Sequence, residues 1–373
     1  MGGHVVIAPD KFKGSLTAAE AAEAISVGLK RGSPTLTTVH CPIADGGDGT
    51  LGTVLAAGFE RIPVYAKGPT GQVVHTAYAR SGETAVVEMA EICGLQRLPG
   101  GRPAPMTASS HGLGAVVVQA LDHGCRDIII GVGGSASTDG GAGFLTALGA
   151  TVRDHDGRRL ASGTPIRNAA HLDLTVLHPD IACASFTLAS DVDNPLYGPL
   201  GAASVYAPQK GAGPDQVIEL DQGLRRWADF VERETKMDCR TAAGAGAAGG
   251  VGFAALAVLG AQMQPGIDVI IDRIELGRHL QGARAVVTGE GSLDRQSLRG
   301  KAAVGVLRHA RAHGIPTFAL AGVSALTPAE AEVAGFAGVY ALSDFEPDRA
   351  RSMSDAFELL AMVSEKLARR LAF

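Results

Sequence analysis

The chain has 373 residues, 46% of them hydrophobic and only 19% charged, so it is long enough to bury more than one core and two domains are expected. A net charge of −5 and an isoelectric point near 6.1 argue against a protein built to bind duplexes or coat membrane surfaces. Aromatic residues at 5% argue against a stacking platform for nucleic acid, and the longest apolar run is far short of the roughly 20 residues a membrane span needs.

The start, MGGHVVIAPDKFKG, leads into a strand over His4–Asp10 with no charged leader and no apolar leader core, so a soluble cytoplasmic protein is expected. Five scattered cysteines, never in a CxxC pair, fit reduced packing thiols. Thr17-Ala-Ala-Glu20 reads as a capping box opening a helix that Gly32 and Pro34 stop. A second strand follows over Thr37–Asp45, then the turn Gly46-Gly47-Asp48-Gly49, a helix from Thr50 to about Gly58 and a third strand over Arg61–Ala66. That order is the βαβαβ of a doubly wound sheet.

The pattern changes at Lys67-Gly68-Pro69-Thr70-Gly71. Residues 72–79 and 84–89 alternate around Ser81-Gly82 as an antiparallel hairpin. A mixed region continues to about Gly282, with strands over Asp127–Gly131 and Phe186–Asp191, a helix over Asp215–Thr235 and an Ala/Gly run over Thr241–Gly260. From Ala283 the first style returns: strands at 283–288, 317–321 and 339–342, and helices at 301–313 and from about Ser352. The expected architecture is α/β. Residues 1–67 and 283–373 form a discontinuous Rossmann-like domain with a doubly wound parallel sheet. Residues 68–282 form an inserted α/β domain with a mixed sheet.

Asp127–Gly143, DIIIGVGGSASTDGGAG, is the strongest local feature. A buried strand runs into a loop with six glycines and then a helix over Phe144–Leu148. Glycine lets successive amides face one anion, and a helix N-terminus adds partial positive charge. The competing reading is a strand–helix turn made glycine-rich by packing. Gly131-x-Gly133-x-x-Ala136 fits only a permissive dinucleotide fingerprint, without an acidic strand end about 20 residues later. Gly300-Lys301 lacks the upstream glycine and following hydroxyl of a P-loop.

Asp10, Asp45 and Glu290 fall at or just beyond ends of strands, where open α/β sheets bind ligands. Carboxylates gathered there need a cation, for which Mg²⁺ carrying ATP phosphates is the natural choice, unless each merely caps a turn. Lys11, Lys13 and Lys210 sit in similar Gly-flanked settings. Lys301 opens a helix, where a cation is unfavourable without an anion to meet it. Asp191, in Ser190-Asp191-Val192-Asp193-Asn194-Pro195, could take a proton from a substrate hydroxyl or close an Asx-turn. His309 and His313, at helical i, i+4 spacing, lack a third metal ligand. No Gly-x-Ser-x-Gly elbow supports serine hydrolysis.

Seven segments in order, APDKFKGSL (8–16), ADGGDGT (44–50), VEMAEICGL (87–95), IGVGGSASTDGGAG (130–143), SDVDNPLYGPLGAASVYAPQKGA (190–212), GAAGGVG (246–252) and TGEGSLDRQSLRGKAAVGV (288–306), resemble the type-1 family of glycerate kinases. The resemblance runs to about residue 325. It implies ATP-dependent phosphorylation of D-glycerate at the 2-hydroxyl, with the 3-hydroxyl as the alternative, in a cleft between two α/β domains. The charge and composition leave D-glycerate as the expected partner, with no nucleic acid and no membrane, and the chain is expected to be a monomer or a homodimer.

Under that reading Gly133, Gly134, Ser135, Ala136 and Ser137, with Lys301, bind the ATP phosphates. Asp45, Glu290 or Asp191 holds Mg²⁺, Asp191 serves as base, and Lys11, Lys13 or Lys210 holds the glycerate carboxylate or the transferring phosphoryl group. Two rivals remain from the residues themselves: a nucleotide-dependent oxidoreductase using the 131–136 glycines, and a non-catalytic binder of organic acids.

Overall fold

A computed structural model describes residues 3–161, 163 and 166–370. The strands are β1 (His4–Pro9), β2 (Thr38–His40), β3 (Glu60–Lys67), β4 (Val73–Ser81), β5 (Thr84–Glu88), β6 (Asp127–Gly131), β7 (Thr151–Arg153), β8 (His171–Asp173), β9 (Ser185–Ala189), β10 (Gln262–Gln264), β11 (Ala283–Leu293), β12 (Thr317–Ser324) and β13 (Gly338–Ala341). They fold into two compact units, one of residues 1–45, 52–57 and 267–373, the other of 46–51 and 58–266. We call them the terminal unit and the inserted unit.

The terminal unit carries a five-stranded sheet in the order β13-β12-β11-β1-β2, parallel throughout. β1 reads as an unbroken apolar run because both faces are covered, as parallel sheets require. Val5, Ile7, Val287 and Leu320 pack against helices Ala18–Gly32 and Ala356–Arg370, while Ala319 and Ala321 meet helix Ala302–Ala312 through Ala303 and Leu307. The Thr17–Glu20 capping box forms as the sequence predicts, with Glu20 N donating to Thr17 Oγ1 at 3.2 Å and Thr17 N to Glu20 Oε2 at 2.8 Å.

Regular pairing of β2 stops at His40. The chain stays extended beside β1, with Cys41 N donating to Ile7 O and Ile43 N to Pro9 O. β11, in contrast, runs five residues past the expected end and pairs with β12 as far as Leu293. The Thr-Gly-Glu-Gly stretch is therefore strand, not turn. Its glycine is dictated by sheet packing: a Cβ on Gly289 would lie 2.3 Å from Leu320 O.

The inserted unit carries a six-stranded mixed sheet, β10-β9-β6-β5-β4-β3, and the two-stranded ribbon β7-β8. The β4–β5 hairpin forms around Gly82, and β6, β9 and β10 are parallel additions. Its core joins Tyr78, Met89, Leu113, Ile128, Phe144, Leu188, Trp227 and Phe253, all buried.

β3 departs from the sequence reading. It pairs antiparallel with β4 at the edge of this sheet, not parallel with β1. Only residues 68–72 join the two strands, which suits a hairpin and is too short for a crossover. Pro63 fits such an edge because it donates no ladder hydrogen bond. The units accordingly divide near residue 58, where a boundary at 67/68 was expected. Their other division lies at 266/267, ahead of the expected 282/283, because Ile267 already packs on Gly305 in the terminal unit.

Among the described residues the five cysteines are free thiols, and no helix is long and apolar enough to cross a membrane. Helix Ala18–Gly32 approaches helix Ala356–Arg370 so closely that a Cβ on Gly28 would lie 2.0 Å from Ala361 O. Gly28→Ala should therefore cost about 1–3 kcal/mol, despite alanine's higher helix propensity, by forcing the helices apart. Equilibrium urea unfolding measures that loss; an unchanged midpoint and slope would contradict the close approach.

Candidate active site

In the terminal unit, Asp10 follows β1, its backbone N–H bonded to Gly289 O on neighbouring β11 at 2.8 Å. Glu290 stands on β11 itself, and Asp45 ends the extended segment beside β1. All three line one cleft of about 840 Å³ at the carboxyl ends of the strands, together with Lys11, Lys13 and Lys301. Strand order reverses between β1 and β11: the chain moves outward to β2 on one side and through β12 to β13 on the other. This is the switch point at which open parallel sheets form ligand crevices.

The cleft is electrostatically tense. Burial pushes the Asp10 carboxyl up to about 7, with Asp45 and Glu290 adding repulsion and Lys11 opposing it. Burial pushes Glu290 up to about 6 against the pull of Ser297 and Lys301. Glu290 Oε1 is buried without a hydrogen-bond partner. Lys301 occupies the N-cap of helix Ala302–Ala312, as the sequence predicts, with no cap bond from its side chain.

The glycine loop lies in the inserted unit and is less open than expected. A Cβ on Gly131 would lie 2.7 Å from Gly46 O, and one on Gly133 would lie 2.5 Å from Gly47 Cα. Those two glycines are required because the Gly46-Gly47 backbone lies directly against them. Gly133 N donates to Gly46 O at 3.5 Å and Ala136 N to Cys93 O at 2.9 Å, so both amides are engaged. Ala136 and Ser137 are buried.

The helix N-terminus beyond the loop is also filled. Asp139 accepts from the amides of Gly141 and Gly143 and from the Ser110 hydroxyl, so a protein carboxylate already sits where an outside anion was expected. Among the described residues, only Gly134 and Ser135 in the 133–136 stretch keep amides without a protein acceptor.

Lys210 also differs from the sequence reading. It is 3% exposed, and its ammonium donates to Ser135 Oγ at 2.8 Å and Ser137 O at 2.6 Å. It braces the loop from behind and has no exposed cation to offer a substrate. Burial pushes it down to about 7, with Asp139 as the opposing charge. Asp191, just beyond β9, is exposed, and its Oδ1 accepts from Gly266 N at 2.9 Å. β9 is the hydrogen-bonded neighbour of β6, with Ala189 opposite Gly131, so Asp191 and the loop leave adjacent strand ends.

The expected residues thus fall into two sets. Asp10, Lys11, Lys13, Asp45, Glu290 and Lys301 share the terminal-unit cleft, whereas Gly133–Ser137, Lys210 and Asp191 belong to the inserted unit. The proposed metal set of Asp45, Glu290 and Asp191 is divided between them.

The whole chain from residue 5 to 372 matches the model of the glycerate kinase family. The chain belongs to the glycerate kinase family. It is 39% identical to glycerate 2-kinase of Escherichia coli K12 over 323 residues, covering 85% of this chain and 84% of that protein. It is 38% identical to glycerate kinase of Bacillus subtilis 168 over 372 residues, covering 99% and 96%. A solved structure assigned as glycerate kinase 2 of Salmonella typhimurium LT2 superposes with a TM-score of 0.86 at 36% identity, covering 100% of this chain and 98% of that one. The likeness to glycerate kinases read from the seven segments is therefore a family membership spanning both units.

Sequence reasoning missed two carboxylates in this family member. Glu88 ends β5, is 1% exposed, and accepts from Gly49 N at 3.0 Å and Leu51 N at 2.7 Å, clamping the 46–51 segment. Burial pushes it up to about 7. Its signal was an acid closing a Val-Val run, a position that is costly without dedicated donors. Asp48 and Glu91 bring carboxylate oxygens within 4.8 Å of it, but Glu91 is paired with Arg97. Asp139 was hidden among glycines, although Thr-Asp-Gly-Gly before a helix is a capping pattern.

The Lys210 environment sets a pH dependence. Its folded pKa lies below the unfolded one, so the folded chain binds fewer protons from about pH 7 up to the ordinary lysine range, and stability from this group rises with pH across that window. Thermal melts from pH 6.5 to 9.5 should show wild type gaining on Lys210→Met by at most ~1.4 kcal/mol per pH unit. A constant difference across the range would mean that the ammonium is not buried as described.

Proposed function

We propose that the protein transfers the γ-phosphoryl group of ATP to D-glycerate at its 2-hydroxyl, giving 2-phosphoglycerate and ADP. The observation that carries this is the family match across both units. Two features of the site support it: carboxylates and lysines gathered at a sheet switch point, and an acidic residue at a neighbouring-strand terminus in the inserted unit. The E. coli relative's designation as a 2-kinase favours the 2-hydroxyl over the 3-hydroxyl.

Phosphoryl transfer needs alignment and charge neutralisation more than covalent help. The bond between the γ-phosphorus and its bridging oxygen breaks as one forms to the glycerate hydroxyl oxygen. The hydroxyl proton passes to the Asp191 carboxylate, which the Gly266 amide orients, and then to solvent. Lys11, Lys13 and Lys301 neutralise phosphate charge. The Gly134 and Ser135 amides, which have no protein acceptor, take an anionic group of one reactant.

The terminal-unit carboxylates suit a hard divalent cation: Glu290 Oε1 is buried and unpartnered, and repulsion among Asp10, Asp45 and Glu290 is what such a charge relieves. Asp45 and Glu290 would hold Mg²⁺, with Asp10 beside them. When bound, the ion would neutralise charge on the phosphate chain.

The direct test is ADP release with D-glycerate, L-glycerate, glycerol or hydroxypyruvate as acceptor, with ³¹P NMR of the product. Turnover on D-glycerate giving the 2-phospho isomer is expected; ATP consumption that ignores D-glycerate would refute the reading. Asp191→Asn should lower kcat by roughly 10² or more with circular dichroism and melting unchanged. A normally folded Asp191→Asn enzyme with near-full kcat would remove Asp191 from the role of base.

A further inference from the structure

We propose that the terminal-unit cleft holds the nucleotide, its end toward β12 and the C-terminal helices receiving the purine and ribose and its lysine-bearing end toward β1 and β11 the phosphate chain. The assignment rests on the ATP-dependent reading above and adds which unit holds the donor. The cleft measures about 840 Å³, a size suited to a nucleoside triphosphate. A small, wholly polar acid such as glycerate would leave most of it empty.

The lining is divided in the same sense. Toward β12 and the C-terminal helices it is mixed: the apolar Val323, Leu342, Pro347 and Met353 alternate with Ser343, Glu346, Arg349 and Ser352, which offer hydrogen-bonding groups. Val323 is 50% exposed and Met353 36%, large apolar side chains left open to solvent where a flat ring could cover them. Toward β1 and β11 the lining is charged, with Lys11, Lys13 and Lys301 beside Asp10 and Glu290. Lys301 caps an 11-residue helix, so its charge and the positive end of the helix reinforce one another, a costly pairing that an anion would relieve. Independently, Glu290 Oε1 is a buried carboxylate oxygen without a partner, on a residue that lines the same cleft.

A cavity of this size that joins apolar side chains and hydrogen-bonding groups to a lysine- and carboxylate-bearing end at a strand-order reversal suits a nucleotide.

Photolabelling of the full-length enzyme with 8-azido-ATP and Mg²⁺, followed by peptide mass mapping, tests the assignment. The adduct should fall within residues 323–356, be suppressed by excess ATP and be unaffected by D-glycerate. Adducts within 131–138 would overturn it.

Met353→Asp and Val323→Asp, both at exposed side chains, should raise the KM for ATP and the calorimetric Kd of a non-hydrolysable ATP analogue about tenfold or more by placing a charge against the ring. The KM for D-glycerate should move less than about twofold, since uniform binding of the acceptor is untouched. Variants that raise the glycerate KM instead would also overturn the assignment. The labelling experiment uses wild-type protein and does not depend on either variant folding. An enzyme that phosphorylates D-glycerate but labels elsewhere loses this inference alone, whereas absence of D-glycerate-dependent ADP release refutes the proposed activity.

Discussion

The inserted unit is organised around a contact between two glycine pairs. Gly46-Gly47 lies against Gly131 and Gly133 at distances that leave no room for a Cβ on the latter two. Glu88, paired with Gly131 across β5 and β6, also fastens this segment through the amides of Gly49 and Leu51. Two of the motifs that make the chain recognisable are therefore two halves of one packing arrangement. The shape of the 133–137 loop, and with it the placement of the Gly134 and Ser135 amides, follows from that contact.

Charge is handled differently in the two units. In the inserted unit three charged groups are internally satisfied: the half-buried Asp139 fills a helix N-terminus, the buried Lys210 braces the loop, and the buried Glu88 has two backbone donors. Such groups cost desolvation and repay it in specificity of backbone shape. In the terminal unit burial drives the carboxylates of Asp10 and Glu290 upward as it does Glu88, but repulsion from Asp45 adds to it and one Glu290 oxygen has no partner. Satisfied buried charge is architecture, while unsatisfied buried charge marks a place where a ligand completes the electrostatics.

Much of the fold was legible in local pattern. The apolar run of β1, the Thr17–Glu20 box, the hairpin around Gly82 and the strand Asp127–Gly131 all rest on periodicity, capping or turn chemistry over a few residues. β3 was misread because its composition suits either a parallel or an antiparallel neighbour, and only the partner strand decides. The acidic ends of strands were also legible, since Asp10 and Asp45 close apolar segments in an open α/β pattern.

By itself, the sequence determined the element types, the α/β class and, through seven ordered segments, the family. Tertiary structure decided which glycines make room for backbone and which leave amides open. It also decided that Lys210 is a buried brace, and that the terminal-unit acids and lysines share one cleft while Asp191 and the loop share another unit's adjacent strand ends. Propensity and capping act within a few residues of chain. Burial, close approach and electrostatic coupling act between residues as far apart as Asp10 and Glu290, whose proximity no local pattern encodes.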